Sequence, residues 1–526
     1  MLLPPLNDDC CTIILSMLVT PDLAALSRVS QVAPSYVRPW LVRDLNIAGS
    51  HGTHFINRDI YDFIFRYALA PYIEVLKMIP RRECKPSFSN YFSRRENQSL
   101  VREAMNIIAE IVEAAVNIRS FRMDTFFGQF LEEDPRILIS LQRHPRLRTL
   151  QLNGLRVTDV DSLLAHPISD LLCLQLSTSE AMDVQRLFEV ARSSSQTLEE
   201  LLISYHICPY NSPDADCRSA ILASYPCLQR LLLRDIKMDP SGLSQVFPSL
   251  QNLKMGMLHD QVSPIILPTD LVCESKPNAT PFNLLPGLRS IDGHSALLAL
   301  PLYSHLQRLH ISEIASTQES FEDLLTVMKC SPLISISLCI RARSPTEELS
   351  LSPNTWPFTI PYTISAVAKC VPLAQFLELS FNWGRFRPGL ASGFSARTCL
   401  EWALSSESAC APLAALSDLR FVSFTVPAPG REYDENPPHM QDIADNVLCT
   451  LPTIKYLAMR SWGLLRHRLY FRRRKSSDGE TLSSESAGGK NLAVQITRSE
   501  AHAAYLNYSW EATDLQGWCV GEHEWQ

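Results

Sequence analysis

Residues 147–155 read LRTLQLNGL, and the spacing Leu147-x-x-Leu150-x-Leu152 decides the architecture. Leu150 and Leu152 stand two apart, with Thr149, Gln151 and Asn153 between and beside them. That alternation belongs to a strand with one face in a core. The spacing returns at Leu171-x-x-Leu174-x-Leu176, Leu198-x-x-Leu201-x-Ile203, Leu228-x-x-Leu231-x-Leu233, Leu250-x-x-Leu253-x-Met255 and Leu306-x-x-Leu309-x-Ile311. Looser copies stand at Leu333-x-x-Ile336-x-Leu338, Leu419-x-x-Val422-x-Phe424 and Ile454-x-x-Leu457-x-Met459. A short unit repeated this often predicts a solenoid, whose units share one continuous core and which mostly serves to bind other proteins.

Outward from each strand the same order recurs. A helical pattern comes first: Val184, Leu187, Phe188 and Ala191; Leu324, Leu325 and Met328; Val447, Leu448 and Leu451. A proline follows one or two residues before the strand, as at Pro145, Pro226, Pro248, Pro286, Pro332, Pro372 and Pro452. Proline has no backbone donor and disfavours helix in the residue before it, so it ends the helix and starts extended chain. The expected class is α/β, with parallel strands on a concave face and helices outside.

The pattern over roughly residues 117–462 resembles the leucine-rich-repeat family. The likeness is good in the strand and poor after it. The family's turn position, usually Asn or Cys, is met at Asn382, whereas Leu155, Ile236 and Ile314 stand there elsewhere. Strand starts are about 18 to roughly 45 residues apart, where the family expects roughly 20 to 29. An irregular arc with Pro- and Ser-rich insertions is therefore expected, near 259–283, 341–361, 383–398 and 427–438.

Ahead of the repeats, residues 6–32 read LNDDCCTIILSMLVTPDLAALSRVSQV. Asp8 and Asp9 suit a helix N-terminus. Cys10, Ile13, Ile14, Met17 and Leu18 follow at helical spacing, Pro21-Asp22 restarts the chain, and Leu23, Leu26, Val29 and Val32 make a second apolar face. Two short helices cannot bury both faces unaided. The stretch resembles an F-box: Leu6, Asp9, Ile14, Leu18, Asp22, Leu23 and Val29 fall in register with that motif. It departs at Asn7, at Cys10 and Cys11, and at Val32. The resemblance, closest to fungal-type F-box proteins with leucine-rich repeats, implies docking on the Skp adaptor of a cullin-RING ubiquitin ligase through Leu6, Asp9, Ile14, Leu18, Leu23, Leu26 and Val29. It implies a protein with no active site of its own, whose repeats hold the target. Ile14, Leu18 and Leu23 are then expected on an exposed apolar face. The alternative is a helical cap on the first repeat, in a scaffold unconnected with ubiquitin.

The expected divisions are an F-box-like helical domain over 1–48, a helical linker over 49–116, repeats over 117–465, and a C-terminal region over 466–526. That last region opens with RHRLYFRRRK at 466–475, a nuclear import signal or a solvated helix end. Its later Tyr505, Tyr508, Trp510, Trp518 and Trp525 predict a cap packed on the last repeat. Within the linker, Arg81, Arg82, Lys85, Arg94 and Arg95 alternate with Phe88, Tyr91 and Phe92, a mix able to touch nucleic acid or to form a solvated loop.

The 526 residues carry 48 Lys plus Arg against 55 Asp plus Glu, and a net charge of -7 gives no general argument for nucleic acid. The 15 cysteines show no C-x-x-C and read as small buried hydrophobes in a reducing compartment, cytoplasmic or nuclear. No P-loop, nucleophile elbow or H-E-x-x-H occurs, and His51 and His54 lack further ligands nearby. No catalysis and no cofactor are expected. On the strands, Arg230, Arg234, Lys254, Arg308 and His310 alternate away from the core leucines, which predicts a basic concave patch for an acidic or phosphorylated target.

Overall fold

In the computed structural model the described residues are 8–49, 58–80, 95–123, 134–178, 180, 182–205, 223–234, 243–256, 285–294, 297, 305–314, 318–341, 360–382, 407–427, 440–462, 469–474, 492–497, 499–501 and 503–504. They form an α/β protein whose chain divides into two compact units, Met1–Leu250 and Gln251–Gln526. Unit 1 opens with helices α1 (Asp8–Met17), α2 (Thr20–Leu26) and α3 (Ala33–Arg43). Seven strands follow, hydrogen-bonded in chain order and all parallel. They are β1 (Asp44–Gly49), β2 (Val75–Pro80), β3 (Ser120–Met123), β4 (Thr149–Leu155), β5 (Cys173–Thr178), β6 (Glu200–Tyr205) and β7 (Arg230–Arg234).

Unit 2 carries β8 (Asn252–Gly256), β9 (Ser290–His294), β10 (Arg308–Ile314), β11 (Ser335–Arg341), β12 (Phe376–Asn382), β13 (Phe421–Pro427) and β14 (Tyr456–Trp462), again parallel and in chain order. β15 (Leu469–Arg473) and β16 (Ala493–Gln495) then add antiparallel strands. Helices between the strands pack on one another: Val157–Ala165 on Val184–Arg192, and Gln318–Cys330 on Ile360–Cys370, which packs in turn on Glu407–Ala414 and that on Met440–Thr450. Parallel strands need such crossovers, and the helices cover one sheet face.

The strand leucines of the repeated pattern are the core. Leu150, Leu152, Leu174, Leu176, Leu201, Ile203, Leu231, Leu233, Leu309 and Ile311 are all buried. Apart from Pro332, each of the recurring prolines sits at the second place of a four-residue turn whose first carbonyl accepts from the amide two residues after the proline, as in Leu147 to His144, Leu228 to Tyr225 and Ile454 to Leu451. Its fixed φ suits that place. The next two amides both donate to one carbonyl of the preceding strand: Arg148 and Thr149 to Arg119, Leu172 and Cys173 to Arg148, Lys455 and Tyr456 to Arg420. This forked bond recurs along the strands of both units and holds neighbouring strands in register.

Several expectations change. The stretch 49–116, expected as a helical linker, contains β2, and β1 straddles the boundary expected at 48. The signal was there: Ile73-x-x-Leu76-x-Met78 and Ile118-x-x-Phe121-x-Met123 repeat the strand spacing, and Ile73, Leu76, Ile118 and Phe121 are buried. Leu288-x-x-Ile291-x-Gly293 is a further copy, in β9. There a leucine is impossible, because a Cβ on Gly293 would lie 2.3 Å from the Met255 carbonyl oxygen. Leu155 and Ile314 depart from the family's polar turn position because both are core residues.

The described part of the run at 466–475 is a strand, not a helix end. Residues 469–473 form β15, with Tyr470 and Phe471 buried. Arg473 turns back under the sheet. Its guanidinium donates to the carbonyls of Leu448, Leu451 (2.8 Å) and Ile454 (2.9 Å), around the end of helix Met440–Thr450. The Leu448 carbonyl is among those a helix C-terminus leaves unbonded. The basic-aromatic loop at 81–94, His51, His54 and the aromatic residues beyond 504 lie outside the described residues.

Candidate protein-interaction sites

The first site is built by the three N-terminal helices. Leu15, Leu23 and Val37 form a small core, with Leu18, Leu26, Trp40 and Leu41 packed against it. The third helix was not foreseen, although Val37, Trp40 and Leu41 stand at helical spacing. It supplies the partner face that two helices lack, and it runs directly into β1. Arg43 at its end pairs with Glu74 at 3.1 Å, just before β2.

With the module's core filled, several of its large apolar residues remain exposed. Ile14 is 45% exposed, Met17 76% and Val29 74%, and Ile13, Val19, Val32 and Tyr36 are exposed beside them in sequence. Large exposed hydrophobes grouped this closely in sequence make the module a candidate interaction surface. The expectation that Leu23 shares this face is corrected: it is 4% exposed, at the centre of the module. Leu18 and Leu26 are half-buried on the same core, whereas Ile14 and Val29 face solvent. Leu6 lies outside the described residues, and of Asp9 only its place in α1 is described.

The second site is the sheet face away from the helices. The five cationic positions do not form an exposed patch. In unit 1, Arg230 pairs with Glu200 on the neighbouring strand, and Arg234 is half-buried at the end of β7. In unit 2, Asp292 stands in register between Lys254 and His310. Its carboxylate lies 2.9 Å from the Lys254 ammonium and 3.8 Å from the Arg308 guanidinium. Burial pushes the Asp292 carboxyl up, but the Lys254 ammonium and then the Arg308 guanidinium outweigh this and hold it at about 2. Arg308 and His310 are only 4% and 7% exposed. They are buried because their row continues into bulky, covered positions: β10 residue Arg308 registers with Ser335, Phe376 and Phe421 in turn.

His310 is a structural histidine. The Arg308 guanidinium donates to its Nδ1 at 3.0 Å, so the ring proton is on Nε2, which lies 3.2 Å from the Ser335 hydroxyl. Burial and the Arg308 charge hold its pKa well below the ordinary value. A ring that takes a hydrogen bond from a cation is a poor general base, and Ser335 is itself buried. Along the same face Glu378 accepts from Ser337 at 2.9 Å and from Ser423 at 3.1 Å. Burial pushes the Cys173 thiol up to about 11, the reverse of an activated nucleophile.

Among the described residues no three His, Cys, Asp or Glu side chains are placed to hold a metal ion. Among them also, no helix is long and apolar enough to cross a membrane. No family model matches the chain, and no curated protein matches it.

Proposed function

We propose that this protein is the substrate-recognition subunit of a Skp–cullin–F-box ubiquitin ligase. In this reading α1–α3 are the F-box, the two units are an irregular leucine-rich-repeat solenoid, and the sheet face holds the target. The observation that carries it is that Ile13, Ile14 and Met17 of α1, and Val29 and Val32 between α2 and α3, are exposed on a module whose own core, Leu15, Leu23 and Val37, is already filled. A helical cap would spend those residues internally. Of the residues in F-box register, Asp9, Ile14, Asp22 and Leu23 fall on α1 and α2, directly ahead of the strands.

Such a subunit raises the effective concentration of its target near the charged partner enzyme of the ligase and needs no catalytic group. On the sheet face of unit 2, Arg308 and His310 support the surface from within. The deciding experiment is binding of the full chain to a purified Skp-type adaptor. Native chain should bind. The double variant Ile14→Asp with Met17→Asp should not, because docking would bury two unpaired carboxylates. A native chain that binds no adaptor, alone or from cell extract together with cullin, overturns the reading in favour of a repeat scaffold outside the ubiquitin pathway.

A further inference from the structure

One edge of unit 1, where β2 to β4 begin, carries a row of arginines. The forked bonds fix the residue ahead of each strand. The Glu74 amide donates to the Arg43 carbonyl at 3.0 Å, Arg119 to Glu74 at 2.7 Å and Arg148 to Arg119 at 2.8 Å. Adjacent strands lie about 4.8 Å apart, so Arg43, Glu74, Arg119 and Arg148 follow one another along about 15 Å of edge. Arg146 joins them from the turn ahead of β4. Arg119, Arg146 and Arg148 are all exposed.

Carboxylate partners run out along this row. Glu74 serves both Arg43, at 3.1 Å, and Arg119, at 3.8 Å. Arg146 and Arg148 are held by neutral oxygens instead. Arg146 Nη1 donates to Asn117 Oδ1 at 3.0 Å, and Asn117 Nδ2 donates in turn to the Pro71 carbonyl at 2.7 Å. Arg148 Nη1 donates to the carbonyls of Leu147 and Asp170, each at 3.2 Å. Asp170 offers Arg148 its carbonyl, while its carboxylate accepts from the Ser169 hydroxyl at 3.4 Å. Among the described residues neither Arg146 nor Arg148 forms an ion pair. These bonds orient two guanidinium groups and leave their charge uncancelled. An oriented guanidinium fork matches a carboxylate.

An apolar margin adjoins the pair. Val116 precedes Asn117 and Tyr72 follows Pro71, and both side chains are exposed. The Asn117–Pro71 hydrogen bond brings these two turns together beside Arg146. Arginine and tyrosine with an aliphatic neighbour is the chemistry of protein interfaces, in which Tyr and Arg are enriched. A nucleic acid calls for a longer basic track, and this chain has a net charge of -7.

We propose that this edge of unit 1 is a docking surface for an acidic protein segment. Carboxylates of the segment take the forks of Arg146 and Arg148, and an apolar residue between them covers Val116 and Tyr72. Arginines already held in place lower the ordering cost of binding. Docking here is separate from the sheet face and independent of whether the helical module binds an adaptor.

The test is titration of the full chain, without adaptor and at low salt, with a fluorescent peptide of six glutamates around a central phenylalanine. Native chain should bind it saturably, and added salt should weaken the complex. Arg146→Glu with Arg148→Glu should weaken binding roughly tenfold or more, because like charges then meet across the contact. Arg28→Glu with Arg58→Glu makes the same charge change elsewhere in unit 1 and should stay within about twofold of native chain. A serine in place of the phenylalanine should cost about fivefold. No saturable binding by native chain overturns the proposal. Equal loss from the two arginine pairs does so too, since net charge alone would then explain the attraction. Equal affinity for the serine peptide removes the apolar contact and overturns it as well. Tighter binding of a heptamer of uridylate, lost in the Arg146, Arg148 variant, assigns the edge to nucleic acid instead. Amide exchange of β3 to β5 reports whether each variant folds. If the glutamate pair does not, Arg146→Gln with Arg148→Gln removes the charges without reversing them. That pair should weaken peptide binding roughly threefold or more, and unchanged binding is equally decisive.

Discussion

Arg308 donates a hydrogen bond to Nδ1 of His310 at 3.0 Å, both side chains buried under the ring-bearing face of unit 2. A charged guanidinium and a protonated imidazole cannot share that contact, so the pair holds the histidine neutral and passes its other ring proton toward Ser335. Residues that read in one dimension as a binding patch are internal supports of the sheet.

The first consequence is a pH dependence. His310 in the folded chain has its pKa well below the ordinary value, through burial and then Arg308. A lowered histidine contributes stability that is present above about pH 6.5, the unfolded value, and is lost as pH falls toward the folded value. Asp292, held at about 2, keeps its contribution until far lower pH. Urea unfolding of native chain should therefore weaken from pH 7 to pH 5. In His310→Gln, which has no such titration, the drop should be smaller. His144, also lowered by burial, contributes a remaining part in unit 1. An identical drop in both proteins would contradict the assignment.

Asp292 is the counter-charge that makes the burial of Arg308 tolerable. Asp292→Ala should cost about 3 to 5 kcal/mol, since it leaves a buried cation with a weaker partner set. Replacing both, as Asp292→Leu with Arg308→Met, should recover most of that loss, because an apolar pair avoids the desolvation cost. Thermal melts of the single and double variants measure this, and a double variant no more stable than Asp292→Ala would show that the pair is not the cause.

The N-terminal module separates core from surface residue by residue. Leu23→Asp should unfold α1–α3, with loss of their helical signal and amide protection, because it puts a charge into the cluster of Leu15, Leu23 and Val37. Ile14→Asp with Met17→Asp should change stability by less than about 0.5 kcal/mol per site, as exposed substitutions usually do. Circular dichroism together with hydrogen exchange distinguishes them. Equal damage from both would mean that Ile14 and Met17 are buried in the folded chain.

Arg473 closes the C-terminal end of helix Met440–Thr450 by donating to the Leu448, Leu451 and Ile454 carbonyls. Arg473→Met keeps much of the apolar stem and removes every donor, so it should cost about 1 to 3 kcal/mol. Arg473→Lys should restore only part, because an ammonium lacks the planar fork that reaches separate carbonyls. A lysine variant as stable as native chain would show that charge alone suffices.

The sequence alone determined the repeating unit. The spacing Leu147-x-x-Leu150-x-Leu152 is a local signal: alternation is a property of one strand, and the proline before it acts on its own turn. For that reason the parallel α/β class was legible, and copies such as Ile73-x-x-Leu76-x-Met78 were within reach of the same rule once Ile and Met were allowed in it. The apolar content of α1 and α2 was legible too, but not its division, because Leu23 and Val29 look alike until a third helix fixes which side is inward. Only the tertiary structure decided what the outward strand residues do. Alternation says that Arg308 and His310 leave the core side; it cannot say that Asp292 arrives from the next strand, or that Ala501 and Ala504 close over Phe376 and Phe421 from about 80 residues or more away in sequence. Those contacts depend on register between strands and on where the chain returns, and neither is written in any one segment.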